Sequence, residues 1–188
     1  MHLSKAFVDF PEEGKLIGRI LAGYAELETD LMHCVAAGYD GDLDLVLRQM
    51  YARHGEKKRL ELGRKLGCPV YRPLDLLDHF NEAVDSMDHC RLIRNQYAHS
   101  IFWNDNTGKL AFANIEELAK GEEEVVDLRG LERRYATVDL LSRQFGYFVH
   151  VSDMLIWVLN EGNRRAGRSA HAGILANRPG EMERPPFF

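Results

Sequence analysis

Apolar residues recur at steps of three and four along three long stretches of this chain, at about residues 12–37, 73–98 and 137–160. This spacing places apolar side chains on one face of an α-helix. Because each such face has to be covered by another apolar surface, we expect the three long amphipathic helices to pack against one another. The spacing therefore predicts a mainly α fold, built as a bundle of helices.

Two shorter helices are predicted between the first two long ones, at residues 43–53 and 56–66. Gly67 follows the second of them, and glycine commonly ends a helix. Pro69 comes two residues later, and a proline disfavours helical backbone in the residue before it. We therefore expect this helix to stop before Pro69 and the next one to begin at Pro73, since proline suits a first helical turn.

Strand-like sequence follows directly after the second long helix. Residues 100–114 predict a β-hairpin with its turn at 104–108, because two short apolar runs flank a stretch rich in Asn, Asp and Gly. The acidic segment 116–124 is expected to form a surface loop or a short helix. Residues 125–128 fit a third short strand or a part of that loop. The hairpin is thus predicted as a small insertion before the last helix of the bundle.

The length of 188 residues allows one well-buried domain, which we place at residues 1–161. The remainder, residues 162–188, is rich in Arg and Pro and lacks periodicity, so we expect a flexible tail. No stretch reads as a membrane span, and from the N-terminal sequence we expect no secretion signal. The three cysteines are scattered and odd in number, which favours reduced thiols and a cytoplasmic protein.

The charge distribution is uneven. A formal net charge of −5 disfavours binding of nucleic acid through overall charge. Residues 48–65 nevertheless contain seven basic and two acidic residues. Such a segment can attract a polyanion such as RNA, or it can be a solvated helix face, and the sequence leaves both interpretations open.

Arg94, Asn95 and His99 lie at the end of the predicted helix 73–98. A guanidinium group can bind a phosphate with two hydrogen bonds, and an imidazole titrates near neutral pH and can transfer protons. In a regular helix His99 would lie about 140° around the axis from Arg94. Asn95 and His99 would share one face, so the amide could orient the imidazole. Arg94 and His99 therefore need an unwound helix end, a second subunit, or both to act together.

The order of Arg94, the polar Asn95, three further residues and His99 matches the R-x4-6-H motif of the HEPN superfamily. With its long first helix and final amphipathic helix, the chain resembles a HEPN domain over roughly residues 12–160. The resemblance implies a HEPN-like four- to five-helix bundle that forms a homodimer with the two motifs facing each other. It also implies a metal-independent endoribonuclease of toxin–antitoxin or other defence systems, with an antitoxin or another protein as a partner.

Carried onto this chain, the resemblance assigns catalytic roles to three residues. His99 would be the acid or base that assists attack of the ribose 2′-hydroxyl on the adjacent phosphate. Arg94 would stabilise the negative charge that develops on that phosphate, and Asn95 would orient His99 or bind the substrate. The products would be a 2′,3′-cyclic phosphate and a 5′-hydroxyl, and the resemblance implies no cofactor.

Arg91, Tyr97 and Trp103 are further candidates for binding the RNA substrate. The two aromatic rings could stack on bases, or they could belong to the core or to an interface. The histidines and cysteines lack the spacings of common metal-binding motifs, so we expect no metal site.

Two features of the motif leave other interpretations open. Helix C-termini favour cationic side chains, so Arg94 and His99 could be purely structural. Position 101 is Ile, where toxins paired with nucleotidyltransferase antitoxins commonly have a tyrosine two residues after the histidine, so regulation through that tyrosine is not expected. The alternative to an endoribonuclease is a non-catalytic HEPN-like dimer that binds a partner protein or a nucleotide.

Overall fold

The computed structural model describes residues 5–120, 134–168 and 177–188, without the side chains of residues 117, 118 and 120. These residues form a mainly α fold with one small antiparallel sheet, which confirms the predicted fold class at this level. Residues 125–128, for which the sequence predicts a strand or a loop, lie outside them. The helices are α1 (Lys5–Asp9), α2 (Pro11–Ala36), α3 (Leu43–Tyr51), α4 (Glu56–Tyr71), α5 (Leu77–Ala98), α6 (Ile115–Lys120) and α7 (Val138–Arg165), and the strands are β1 (Ser100–Asn104), β2 (Leu110–Asn114) and β3 (Arg134–Ala136). Of the helices in these ranges, none is both long and apolar enough to cross a membrane.

The chain forms two compact units. One contains the β-sheet and comprises the described parts of Met1–Ala22, Leu92–Gly146 and Pro185–Phe188; we call it the sheet unit. The other comprises the described parts of Gly23–Arg91 and Tyr147–Arg184, and we call it the helical unit. Helices α2, α5 and α7 each contribute residues to both units. Both units are therefore assembled from segments that are distant in the sequence, and a domain boundary at residue 161 stays a prediction.

The core of the helical unit is built from apolar side chains spaced three or four residues apart. This is the periodicity from which the long helices are predicted, and it places one stripe of each helix inside. Gly67 in α4 allows a close approach to α5, because a Cβ atom at this position would overlap the ring of Phe80. The buried side chains come from α2 (Leu27, Leu31 and Val35), α5 (Phe80, Val84 and Met87) and α7 (Val151, Leu155 and Val158).

Helix α4 does not stop before Pro69, so that prediction was wrong. The helix continues through Pro69 to Tyr71, although an interior proline removes one backbone hydrogen bond. Tyr71 is fully buried, and its hydroxyl donates to the carbonyl oxygen of Cys34 at 3.0 Å, which stabilises this last turn. A 3₁₀ turn at Arg72–Leu74 and a left-handed Asp75 follow, so α5 begins at Leu77 rather than at residue 73.

The hairpin predicted at residues 100–114 is present, and a third strand extends it. Strand β1 pairs antiparallel with β2, with Ser100 opposite Asn114, and β2 pairs antiparallel with β3. The central strand β2 is buried along its whole length. Strand β3 has three residues, too few for an alternating apolar pattern to reveal it in the sequence.

Helix α7 continues past residue 160 and past Gly162, where the sequence predicts its end. Gly162 is buried, and a Cβ atom there would lie 2.8 Å from the ring of Tyr71. The glycine therefore serves packing inside the helix instead of ending it. The helix ends at Arg165, where Gly167 takes up a left-handed conformation with φ 68°.

Candidate functional site

The motif occupies the end of α5 and the turn that joins α5 to β1. Ile93 and Tyr97 are one helical turn apart, and both are buried in the sheet unit. Arg94 and Asn95 are half-buried. His99 follows the last helical residue, and its side chain is 41% exposed. Because His99 lies outside the regular helix, the helical repeat does not determine the direction of its side chain.

Arg94 and Asn95 are hydrogen-bonded to each other. The Nη1 atom of Arg94 donates to the Oδ1 atom of Asn95 at 3.1 Å. The spacing of four residues predicts instead that Asn95 orients His99, but the helix ends at Ala98, so the helical repeat does not place the two side chains together. In this structure the Asn95 side chain therefore positions the guanidinium group.

Glu116 on α6 is the carboxylate beside His99. Its Oε1 atom lies 3.6 Å from Nε2 of His99, and both side chains are largely exposed. The hairpin register explains the contact, because the backbone N–H of Ile115 donates to the carbonyl oxygen of His99 at 2.8 Å. Glu116 was not among the predicted site residues. Its signal in the sequence is this register, which brings the start of the acidic segment next to the motif.

Asn114, the last residue of β2, joins the end of α5 to the start of α6. Its Nδ2 atom donates to the carbonyl oxygens of Gln96 and Asn95 at 3.3 and 3.4 Å. Its Oδ1 atom accepts from the backbone N–H of Glu116 at 2.9 Å. The last carbonyl groups of a helix have no partner within the helix, so this amide fixes the backbone on which Asn95 and Glu116 are carried.

Tyr97 lies in the core, which is the alternative to base stacking that the sequence leaves open. Only 2% of its surface is exposed, too little for a base to stack on its ring. The hydroxyl donates to Oε1 of Gln144 at 2.8 Å, and Nε2 of Gln144 donates to the carbonyl oxygen of Pro186 at 2.8 Å. Burial raises the pKa of the Tyr97 hydroxyl, so this residue stays a neutral hydrogen-bond donor.

Pro185–Phe188 packs within the sheet unit, although the sequence predicts a flexible tail over residues 162–188. The backbone N–H of Phe188 donates to Oε1 of Gln96 at 2.6 Å, and its ring lies 5.9 Å from that of Phe112. The guanidinium group of Arg134 lies 5.9 Å from the centre of the Phe188 ring. The apolar side chains at the end of the tail allow this packing, and no periodicity in the sequence predicts it.

Trp103 and Arg91 lie in different units. Trp103 is half-buried in β1 and lines a cavity of about 380 Å³ in the sheet unit. Arg91 belongs to the helical unit, where its Nε atom donates to Oδ1 of Asp88 at 2.7 Å. The Arg91 side chain is 13% exposed, and its charge is paired with the Asp88 carboxylate. A role of Arg91 in substrate binding stays a prediction.

The basic segment 48–65 forms parts of α3 and α4 in the helical unit. Three of its arginines pair with carboxylates: Arg48 with Asp44, Arg59 with Glu28 and Arg64 with Asp85. Other basic side chains of the segment are exposed: Arg53, Lys57, Lys58 and Lys65. These pairs reduce the positive field of the segment, which favours its interpretation as a solvated helix face.

Two histidines of α5 pack against aromatic rings. His79 meets the ring of Trp157 edge-on at 5.2 Å, and His89 meets that of Tyr147 at 5.5 Å. Within residues 5–120, 134–168 and 177–188, no group of three or more His, Cys, Asp or Glu side chains is placed to hold a metal ion.

The end of α5, the following turn and the start of α6 bring three kinds of chemical group into the sheet unit. Arg94 offers a fixed cation, His99 an imidazole, and Glu116 a carboxylate beside that imidazole. Such a set suits a reaction at a phosphodiester, in which protons move and negative charge develops.

Comparisons of the chain with known protein families, with characterised proteins and with solved structures found no match.

Proposed function

We propose that this protein is a metal-independent endoribonuclease of the HEPN type, acting in a toxin–antitoxin or other defence system. The observation that carries the proposal is the placement of Arg94 and the exposed His99 at one end of α5. The mainly α fold with a small sheet after that helix is consistent with an elaborated HEPN-like bundle. The resemblance of the motif supplies the reaction, and the contacts of Asn95 and Glu116 supply its supporting groups.

In the proposed reaction, His99 accepts the proton of the ribose 2′-hydroxyl. The O2′ atom forms a bond to phosphorus, the P–O5′ bond breaks, and a protonated imidazole returns a proton to O5′. Arg94, held by Asn95, stabilises the extra negative charge on the phosphate oxygens. Glu116 stabilises the imidazolium that forms when His99 takes up the proton. The products are a 2′,3′-cyclic phosphate and a 5′-hydroxyl.

We further propose that the protein acts as a homodimer in which two such motifs face each other. The second copy then provides a second Arg94 and His99, so that one imidazole can act as base while the other acts as acid. This division of roles suits a step in which one oxygen loses a proton and another gains one.

Cleavage of RNA in the presence of EDTA tests the proposal. The wild-type chain is expected to cleave total RNA or individual tRNAs and to leave 2′,3′-cyclic phosphate ends. His99→Ala should lower the rate by about 10²- to 10⁴-fold, because it removes the acid–base group. Arg94→Ala should lower it similarly. The matched control is His54→Ala, since His54 is an exposed histidine in the helical unit, and its rate should equal that of the wild type.

Equal cleavage by wild-type protein and His99→Ala would show that the activity does not come from this site. The absence of cleavage by the wild type on all RNAs would remove the endoribonuclease proposal itself.

The same samples test the dimer by light scattering, which should give twice the chain mass of 21.5 kDa.

The second candidate is a non-catalytic HEPN-like dimer that binds a partner protein or a nucleotide. One observation favours it: the motif residue Gln96 already holds a short peptide of this chain through the backbone of Phe188. A surface that holds one peptide at the motif can belong to a protein-binding module. This candidate gains support if a dimer forms and neither the wild type nor Arg94→Ala cleaves RNA.

A further inference from the structure

A cavity of about 380 Å³ lies between α1 and β1 in the sheet unit. Its lining includes Trp103, Asn104 and Asn106 from the hairpin and Lys5 and Asp9 from α1. This volume falls in the lower part of the range of pockets that hold small molecules. The cavity therefore combines an aromatic wall, one cation, one carboxylate and two amides.

The wall formed by the hairpin is held in place by its own hydrogen bonds. The Nδ2 atom of Asn104 donates to Oδ2 of Asp9 at 3.0 Å, and its Oδ1 atom accepts from the backbone N–H of Asn106 at 2.9 Å. Next to them, Oδ2 of Asp105 accepts from the hydroxyl of Tyr135 at 2.8 Å, which ties the turn to β3. A site whose polar groups are already fixed loses less conformational entropy when a ligand binds.

The wall formed by α1 is fixed by aromatic packing. The ring of Phe7 lies 5.1 Å from that of Phe102, so the short helix is docked on β1. Lys5 and Asp9 are four residues apart and share one face of this helix. The cation and the carboxylate are thus presented on the same side, over the strand that carries Trp103.

The cavity is close to the proposed catalytic residues along the chain. Trp103 follows His99 by four residues, and the residues after His99 form the extended strand β1. At about 3.3 Å per residue, the two Cα atoms are separated by roughly 13 Å. The cavity is therefore within reach of RNA nucleotides that flank the cleaved bond.

We propose that this cavity is a base-binding subsite for a guanine nucleotide of single-stranded RNA. The indole of Trp103 stacks on the base, as aromatic side chains do in single-strand binding. The carboxylate of Asp9 accepts from the two adjacent donors of guanine, N1–H and the N2 amino group, whereas adenine offers one amino group. Lys5 binds the phosphate. As an RNA subsite this inference rests on the proposed function, but its test measures binding and not cleavage.

Fluorescence of a single tryptophan locates the ligand, because the chain has two tryptophans, Trp103 and Trp157. In Trp157→Phe the remaining Trp103 should show a saturable change in emission when guanosine 5′-monophosphate is added. In the matched variant Trp103→Phe, the emission of Trp157, which lies in the helical unit, should stay unchanged. No saturable change in Trp157→Phe would overturn the subsite.

Calorimetry then identifies which groups of the nucleotide are recognised. Guanosine monophosphate should bind the wild type at least about tenfold more tightly than ribose 5-phosphate, which lacks the base. It should also bind about tenfold more tightly than adenosine monophosphate. Asp9→Asn should abolish the preference for guanine over adenine. Lys5→Gln should weaken the binding of both nucleotides to a similar extent.

Two results would contradict the assignment: equal affinity for ribose 5-phosphate, or an unchanged guanine preference in Asp9→Asn. His99→Ala should bind guanosine monophosphate as the wild type does, because His99 does not line the cavity. Loss of binding in His99→Ala would place the nucleotide at the motif and would also overturn the subsite. Binding without RNA cleavage would support the subsite while removing the endoribonuclease proposal.

Discussion

The six residues from Arg94 to His99 divide between chemistry and packing. Arg94 and Asn95 are half-buried and bonded to each other, and His99 is exposed beside a carboxylate. Gln96 and Tyr97 are buried and hold other parts of the sheet unit. A short motif therefore contains residues that present reactive groups and residues that fix the backbone presenting them.

Tyr97→Phe tests the buried hydrogen bond between Tyr97 and Gln144. The substitution keeps the ring but leaves the buried Oε1 atom of Gln144 without its donor. We expect the free energy of unfolding to fall by about 1 kcal/mol. For a chain of this size that corresponds to roughly 2–4 °C in melting temperature. The control Tyr39→Phe, at a half-buried tyrosine in the loop after α2, should change stability less. Unchanged stability would mean that the hydrogen bond from Tyr97 to Gln144 contributes little to the sheet unit.

At the scale of elements, local patterns predict a helix better than they predict its ends. The periodicity locates the three long helices, and the short apolar runs locate the hairpin. Pro69 and Gly162 mislead because each usually ends a helix. Here the burial of Tyr71 stabilises the turn after Pro69, and the Tyr71 ring fills the space above Gly162. Both reasons are tertiary contacts that no local window of sequence contains. The contact of Glu116 with His99 likewise depends on hairpin register.

Two glycines on helices should respond to alanine in opposite directions. At Gly67 the added Cβ overlaps the Phe80 ring, so Gly67→Ala should lower the free energy of unfolding by about 1–3 kcal/mol. Gly18 lies on the exposed face of α2, with no atom within 4 Å of an added Cβ. Gly18→Ala should therefore raise the free energy of unfolding by roughly 0.5–1 kcal/mol, since alanine favours helix. Denaturant unfolding measures both, and a neutral Gly67→Ala would refute the close approach of α4 to α5.

At the scale of the whole molecule, the end of α5 is fixed by residues far away in the sequence. Gln96 is bonded to Phe188, and Tyr97 reaches Pro186 through Gln144. Such pairings leave no trace in local periodicity, which explains why the sequence predicts a flexible tail where Pro185–Phe188 is packed. We therefore expect the backbone that carries the proposed catalytic residues to depend on the last described segment of the chain.

Phe188→Ala tests this dependence, with Met182→Ala as its control. Both side chains are 48% exposed, but the Phe188 ring packs on Phe112 and under the guanidinium group of Arg134. Losing about half of a buried phenylalanine should cost roughly 1 kcal/mol. Hydrogen exchange should accelerate at the amides of Gln96 to His99 in Phe188→Ala and stay at the wild-type rate in Met182→Ala. Equal exchange in the two variants would mean that the segment lies against the sheet unit without stabilising the end of α5.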